Sequence, residues 1–482
     1  MLKQLKQYFS LFWRWLDISP ALWVVFGSCL VYWIYLIFSS EMYVVFDAIG
    51  YEQAGRTLYE KGWVEFFKAG PQREPLYSWL ISVSMYFSGI FSCSYQMILK
   101  FLQVGLLFST QFLLLVVLRQ LKIHKTITLL VILYCGISPA LLGATFSLFS
   151  EITTIPFVLL SLICMTQFWH ALLNRSMRFV IGMAFLTAGT SLVVVFSKGM
   201  FIGVFFLYLI VIFGTVCVIS VKEKKNYWAR ASLYIMLSLI CISSFMLGYM
   251  FLNKKYNGLF QYTGRYTSAI VGSAYKRSQK VTPRIFWAHV ASIPGKGVCR
   301  KFFSEKECVY CEAYSADYFG GMALSGIPVQ EQDAKMFQLA KEQIKKNLGQ
   351  YVMFMVYEAA RMPFWESTQA GFVGYPAWLS RLFSMGVFKD GVRLLVSCLT
   401  ICSLIFMLGR LPVFYRSLFE VREGQSSQTC FFLVFIVLAY TSFFTLTFVV
   451  TRYAFPIAPL YLVMIAYWFN HLFGFSDQKE KI

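Results

Sequence analysis

Six charged residues stand where long apolar runs meet polar ones: Asp47, Arg73, Glu74, Glu151, Lys198 and Arg452. Asp47 follows the first apolar run within a few residues and heads a segment in which Tyr51, Ala54 and Leu58 recur at helical spacing before Gly62 and Trp63 break it. A carboxylate at a water-lipid boundary can serve as a general base, because partial desolvation raises its pKa toward the range useful for proton transfer. The plain alternative is that Asp47 caps the helix beginning beside it. Arg73 and Glu74 close the same polar segment just ahead of Pro75, so acids stand at both of its ends. Arg56 and Glu74 can pair within it, an exposed contact worth about 0–1 kcal/mol and no basis for catalysis. The cations can stabilise negative charge developing on a leaving group, or they can simply snorkel.

Residues so placed need a membrane scaffold, and the composition supplies one. Charged residues make up 14% of the 482 positions, against about 25% in a soluble domain. Hydrophobic residues reach 58%, with 49 Phe, 29 Tyr and 12 Trp, and mean hydropathy is +0.62. This is the composition of an all-α polytopic membrane protein. It excludes a water-soluble enzyme, a secreted disulfide scaffold and a disordered chain. The net charge of +20 belongs to cytoplasmic loops and anionic headgroups, with no nucleic-acid partner implied. Most of the 12 cysteines fall inside apolar runs and read as small buried hydrophobes.

Apolar stretches able to cross, or nearly cross, a hydrocarbon core of about 30 Å lie at 21–39, 76–92, 97–118, 126–143, 146–168, 177–195, 200–220, 231–251, 389–409, 429–449 and 454–472. The expected total is 10 to 12 spans. Lys3, Lys6 and Arg14 before the first run imitate a signal peptide, but no cleavage signature follows, so the first span is read as retained with a cytoplasmic N-terminus. Basic clusters at Arg119, Lys122 and Lys125, at Arg175 and Arg178, at Lys222, Lys224, Lys225 and Arg230, at Arg410, Arg416 and Arg422, and at Lys479 and Lys481 read as cytoplasmic. That puts residues 40–75 and 252–388, with Glu151, Lys198 and Arg452, on the opposite side. Parity allows one crossing between residues 75 and 119, yet two apolar stretches lie there, so one of them is re-entrant or buried unless a basic cluster breaks the rule.

Three regions result: an N-terminal transmembrane module over 1–251 with its first outer loop at 40–75, an insert over 252–388, and C-terminal transmembrane helices over 389–482. Residues 252–349 carry 15 Lys and Arg against 7 Asp and Glu, with Gly320, Gly321, Pro283, Pro294 and Pro328, and read as short helical and irregular pieces. From Asp333 to Leu348, residues Met336, Leu339, Ala340, Ile344 and Leu348 share one face of an amphipathic interfacial helix. The next stretch, ending MPFW, packs along the bilayer edge or enters at a tilt. Cys299, Cys308 and Cys311 cluster in this insert. A zinc reading lacks ligands, since His289 is the one nearby imidazole. A disulfide joining Cys299 to one of the other two is the leading expectation, with free thiols as the alternative.

The segment DAIGYEQAGRTLYEKGW from Asp47, followed by REPLY from Arg73, resembles the first loop of the membrane glycosyltransferases of the C-type fold, in particular the protein O-mannosyltransferase and lipid A aminoarabinose transferase group. LFSEITTIP around Glu151, AKEQIKKNLGQYVMFMVYEAARMPFW before the C-terminal spans, and RYAFPIAPLYL from Arg452 are similar in order and spacing over about residues 20–465. The resemblance implies a C-type transmembrane bundle with a large outer insert and a catalytic first loop facing the periplasm or lumen. It implies transfer of a sugar, with inversion, from a polyprenyl-phosphate-linked donor to a glycan, lipid or protein acceptor in envelope biogenesis, in a bacterial inner membrane. Asp47 matches the family's catalytic aspartate, and Arg452, Lys198 and Arg73 would hold the donor phosphate. Glu151, Glu74 and Tyr51 would bind or orient the acceptor, Glu151 also standing as a candidate to orient Arg452 or to cap its helix. Asp47-Ala48 replaces the Asp-Glu of many relatives, and Glu74-Pro75-Leu76 their Lys-Pro-Pro, so no ligand cluster supports a divalent metal and the substrate does not transfer.

Two rival readings differ in class. A flippase or transporter of lipid-linked saccharides predicts ionisable residues at mid-membrane and repeated bundles, whereas here they gather at loop-membrane junctions. A non-catalytic or polymerase-like protein of envelope polysaccharide assembly is the other.

Overall fold

The structure, a computed structural model, describes residues 19–71, 73–174, 177–223, 227–263, 271–308, 329–368, 371–419, 425–446 and 451–475. Lys3, Lys6, Arg14, Arg175, Lys224, Lys225, Cys311, Gly320, Gly321, Pro328, Arg422, Lys479 and Lys481 lie outside them. The protein is an all-α polytopic membrane protein. Among the described residues nine helices are long and apolar enough to cross a membrane, or ten if one bent pair makes a single span.

The first spanning helix, α1 (Pro20–Ser39), is started by Ser19, whose hydroxyl accepts from Leu22 N, with Pro20 preorganised at its first position. At its other end the Lys100 ammonium donates to the carbonyls of Ile37 and Ser40, satisfying groups the helix end leaves open. The first loop carries a two-residue strand β1 (Glu41–Met42) and helix α2 (Asp47–Lys68). α2 breaks at Gly62, whose φ of 79° favours glycine, as the Gly-Trp break predicts.

The stretch expected at 76–92 forms α3 (Pro75–Phe91), whose 17 residues span only about 25 Å and which is not among the nine. It packs along α2: Tyr77 meets Tyr51 edge to face, and Tyr95, just past its end, donates to Glu52. α4 (Tyr95–Gln120) is the longer of the two helices between the first loop and the Arg119 cluster, and it is the one long and apolar enough to cross a membrane by itself. The stretch expected at 126–143 is a bent pair, which adds a tenth span if both halves cross together. It is broken at Ser138 into α5 (Lys125–Ile137) and α6 (Pro139–Phe146), bent by 42°. Pro139 cannot continue the hydrogen-bond ladder of α5, and the Ser138 hydroxyl accepts from Leu141 N to start α6.

Four long helices follow: α7 (Glu151–Asn174), α8 (Met177–Ser197), α9 (Phe201–Glu223) and α10 (Trp228–Asn257). The insert contributes the short helices α11 (Gly272–Arg277), α12 (Pro283–Ala291), α13 (Lys296–Cys299) and α14 (Glu305–Cys308). Then come α15 (Val329–Lys346), α16 (Leu348–Arg361), β2 (Val373–Gly374) and α17 (Ala377–Ser384). The bundle closes with α18 (Gly386–Arg416), α19 (Gln425–Thr445), a 3₁₀ turn (Thr451–Ile457) and α20 (Ala458–Leu472). α15 buries Met336 and Ala340 as its spacing predicts, but Leu348 opens the next helix and is exposed.

Several contacts hold the insert to the bundle, among them two through backbone groups. β2 pairs antiparallel with β1, Glu41 opposite Gly374 and Met42 opposite Val373. Buried Arg277 donates to the carbonyl of Thr445 at the end of α19 and pairs with Glu358, which is fully buried, at 3.4 Å. Cys299 and Cys308 form a disulfide. His289 lies 3.7 Å from Glu358, but burial, then the positive charge of Arg361 and Arg277, push its pKa down to about 3, so the ring is neutral.

Candidate active site

Asp47 opens α2, but the N-cap position belongs to Phe46, which makes no side-chain cap bond and holds a positive φ of 51°, uncommon for a bulky residue. The Asp47 carboxylate instead bridges two arginines. Oδ1 accepts from Arg73 Nη2 at 3.1 Å, and Oδ2 accepts from Arg452 Nη2. The three residues come from the start of the first loop, from its end and from the 3₁₀ turn before α20. Asp47 and Arg452 are separated by 405 positions.

Each guanidinium lies on an aromatic ring. Arg73 sits 4.6 Å from the centre of Tyr51, and Arg452 sits 4.5 Å from Phe149 and 5.7 Å from Tyr453. Such cation-π contacts are worth roughly 0.5–2 kcal/mol and fix the plane of the group. Gly50 makes room for Arg73, because a Cβ there would stand 2.7 Å from its Nε. Tyr51 itself is buried, its hydroxyl 3.1 Å from Ser150 Oγ, and burial raises its pKa so that it stays neutral.

Behind this trio lies a second pair. Lys198 donates to Glu151 at 3.1 Å, where Glu151 is only 3% exposed. Burial works against the Lys198 ammonium, but Glu151, with Tyr51 and Glu74, outweighs it and holds the pKa above the ordinary lysine value. Glu151 opens α7, accepts from Lys198 through Oε1, and its charge also acts on Arg452. Glu74 accepts from the backbone N–H of Gly199 at 3.3 Å, and Arg56 pairs with Glu52 and Glu60 instead of Glu74. All seven sequence-selected residues, Asp47, Tyr51, Arg73, Glu74, Glu151, Lys198 and Arg452, therefore fall in one cluster. Cys299, Cys308 and His289 belong to the insert and join no such cluster. Among the described residues no three His, Cys, Asp or Glu side chains converge as a metal-ligand set.

The cluster is incompletely satisfied. Arg73 Nη1, Tyr77 Oη and Glu151 Oε2 are buried and make no hydrogen bond among the described residues, the state expected of a place that takes a polar ligand or water. A separate groove of about 640 Å³ is walled by Trp63, Phe67, Phe196, Phe245, Tyr249 and Tyr256, of which Tyr249 lies within reach of the Glu74 charge.

Several supporting residues escape a reading of sequence alone. Lys100 and Gln96 on α4 hold the carbonyls of Ile37, Ser40 and Met42, which fixes the stalk leading to Asp47. A lone lysine in an apolar run was the available signal for Lys100. Phe372, from the end of the insert, packs on both Phe46 and Phe149. Glu366 accepts from Tyr134, Ser138, Ala140 N and Ser367 N and so clamps the bend between α5 and α6. Burial raises its pKa despite those four donors. No protein-family model matches the chain, and no curated protein matches its sequence.

Proposed function

We propose that this protein is an integral-membrane, inverting glycosyltransferase that moves a sugar from a polyprenyl-phosphate-linked donor to a hydroxyl acceptor. The observation that carries the reading is Asp47 held between Arg73 and Arg452, the latter at the start of the last long apolar helix. A carboxylate and two guanidinium groups are the complement of this reaction. The acceptor O–H gives its proton to Asp47 as its oxygen bonds to the anomeric carbon. The bond from that carbon to the phosphate oxygen breaks from the opposite face, and the electron pair leaves with the prenyl phosphate. Arg73 and Arg452 stabilise that developing charge in a site only partly open to water. Lys198, fixed by Glu151, adds positive potential behind them, and the aromatic groove suits the donor's hydrocarbon chain. Glu74, Glu151 and Tyr51 set the positions of these groups. The acceptor's class, a periplasmic site and a bacterial inner membrane are parts of the same proposal.

The test is transfer by purified, monodisperse protein in lipid nanodiscs supplied with a polyprenyl-phosphate sugar. Asp47→Asn should lower turnover at least about 100-fold, the usual order for losing a proton-transfer group. Near-normal transfer by the folded variant would refute the assignment. Movement of a lipid-linked saccharide across the bilayer without any transfer would replace the reading with a flippase.

A further inference from the structure

Three acids, Asp47, Glu74 and Glu151, and three bases, Arg73, Lys198 and Arg452, make the cluster neutral as it stands. An incoming phosphate therefore meets no idle cation. Lys198 is tied to Glu151 in a nearly closed pocket, and Glu74 spends its carboxylate on the backbone of Gly199. Among the described residues Arg73 and Arg452 both donate to Asp47, 23% exposed, at the open side of the pair, while the buried charge of Glu151 also acts on Arg452. Asp47 thus fills the place between two guanidinium groups that an anionic oxygen of a ligand would take.

Those guanidinium groups do not depend on Asp47 for their placement. Tyr51 supports one ring face and Phe149 the other, Gly50 opens the path of Arg73, and Arg73 keeps a buried N–H in reserve. A carboxylate and a phosphate compete for such a seat on equal geometric terms, since both accept charge-assisted hydrogen bonds from arginine. A carboxylate bridged by two arginines is also a poor base, because a neighbouring positive charge favours its ionised form.

We propose that Asp47 is the internal occupant of the donor-phosphate seat, so that phosphate binding displaces it from Arg73 and Arg452 and frees it to take the acceptor's proton. The base is armed only once the donor is loaded, which imposes donor-first order and withholds a free carboxylate from an empty site. This rests on the reading of the site as one for a lipid-linked phosphate.

Binding of undecaprenyl phosphate to the full chain in nanodiscs, measured with variants of equal monodispersity and melting temperature, tests it. Competition predicts that Asp47→Asn binds about 10-fold tighter than the unaltered chain, a free-energy change of the size of one charged hydrogen bond. Asp47→Glu, which keeps the charge, should bind as the unaltered chain does, and Arg452→Ala at least about 10-fold more weakly. Glu74→Gln removes an acid from the same cluster without releasing an arginine, and should gain little. An equal gain in Asp47→Asn and Glu74→Gln would mean that net charge alone governs affinity, and would overturn the competition. An unchanged or weaker Asp47→Asn beside a weakened Arg452→Ala would overturn it too while leaving the phosphate reading intact. No binding by the unaltered chain or by Asp47→Asn would overturn both.

Discussion

Replacing Gly50 with alanine should separate activity from stability. The new Cβ would lie 2.7 Å from Arg73 Nε and 3.1 Å from Nη2, closer than carbon and nitrogen pack, so something must move. The yielding atoms are the far end of a flexible side chain, and the backbone has no reason to shift. Retreat by about 0.7 Å, to an ordinary carbon contact of roughly 3.4–4.0 Å, carries Arg73 Nη2 from 3.1 Å to beyond hydrogen-bonding reach of Asp47. A hydrogen bond to a charged group is worth about 1.5–3 kcal/mol, and partial exposure of Asp47 places this one at the low end. If the same guanidinium stabilises the leaving phosphate, turnover should fall about 10-fold, because 1.4 kcal/mol is a factor of ten. Stability should hold or rise, since alanine is favoured over glycine in a helix by about 1 kcal/mol. Paired measurements of sugar transfer and thermal unfolding of the purified variant decide the matter. Full turnover, or a collapse of the melting temperature, would refute the argument that Gly50 exists to let Arg73 reach Asp47.

Further expectations concern the supports of the site. Lys100→Met removes the donor to Ile37 and Ser40 carbonyls, and should cost about 1–3 kcal/mol and loosen the stalk of Asp47, read as faster amide exchange over residues 37–46. Glu358→Ala leaves Arg277 and Arg361 without their common carboxylate, and should destabilise the insert by about 3–5 kcal/mol in chemical unfolding; a loss below about 1 kcal/mol would show that the cluster is hydrated. His289 is buried with its pKa lowered to about 3, facing Glu358, Arg277 and Arg361. The unfolded chain then binds the extra proton between the ordinary histidine value and pH 3, so stability is full above about pH 6.5 and falls as pH drops, by at most about 1.4 kcal/mol per unit. His289→Gln should flatten that acid limb, and an unchanged limb would assign it to other groups.

Membrane class and most elements were legible in the sequence, because hydropathy and helix-end chemistry are local properties of a stretch of chain. Gly62-Trp63 marks a break wherever the chain lies in space, and most of the apolar stretches become the long helices, whereas the start at Ser19-Pro20 and the break at Ser138-Pro139 came from the structure. Charge at the ends of apolar runs singled out Asp47, Arg73, Glu74, Glu151, Lys198 and Arg452, since ionisable groups avoid hydrocarbon. Their partners were not legible. Packing alone gave Asp47 to Arg73 and Arg452, joined Glu151 to Lys198, and laid α3 along α2. The same is true of Gly50, whose missing Cβ matters only because Arg73 passes over it, and of Phe372, which reaches Phe46 and Phe149 from the far end of the insert. Such contacts join segments up to 405 positions apart, and no local pattern encodes which of several similar charges will meet. Shape complementarity of the whole bundle selects the pair, because a buried charge is tolerated only where the folded chain brings it an opposite one.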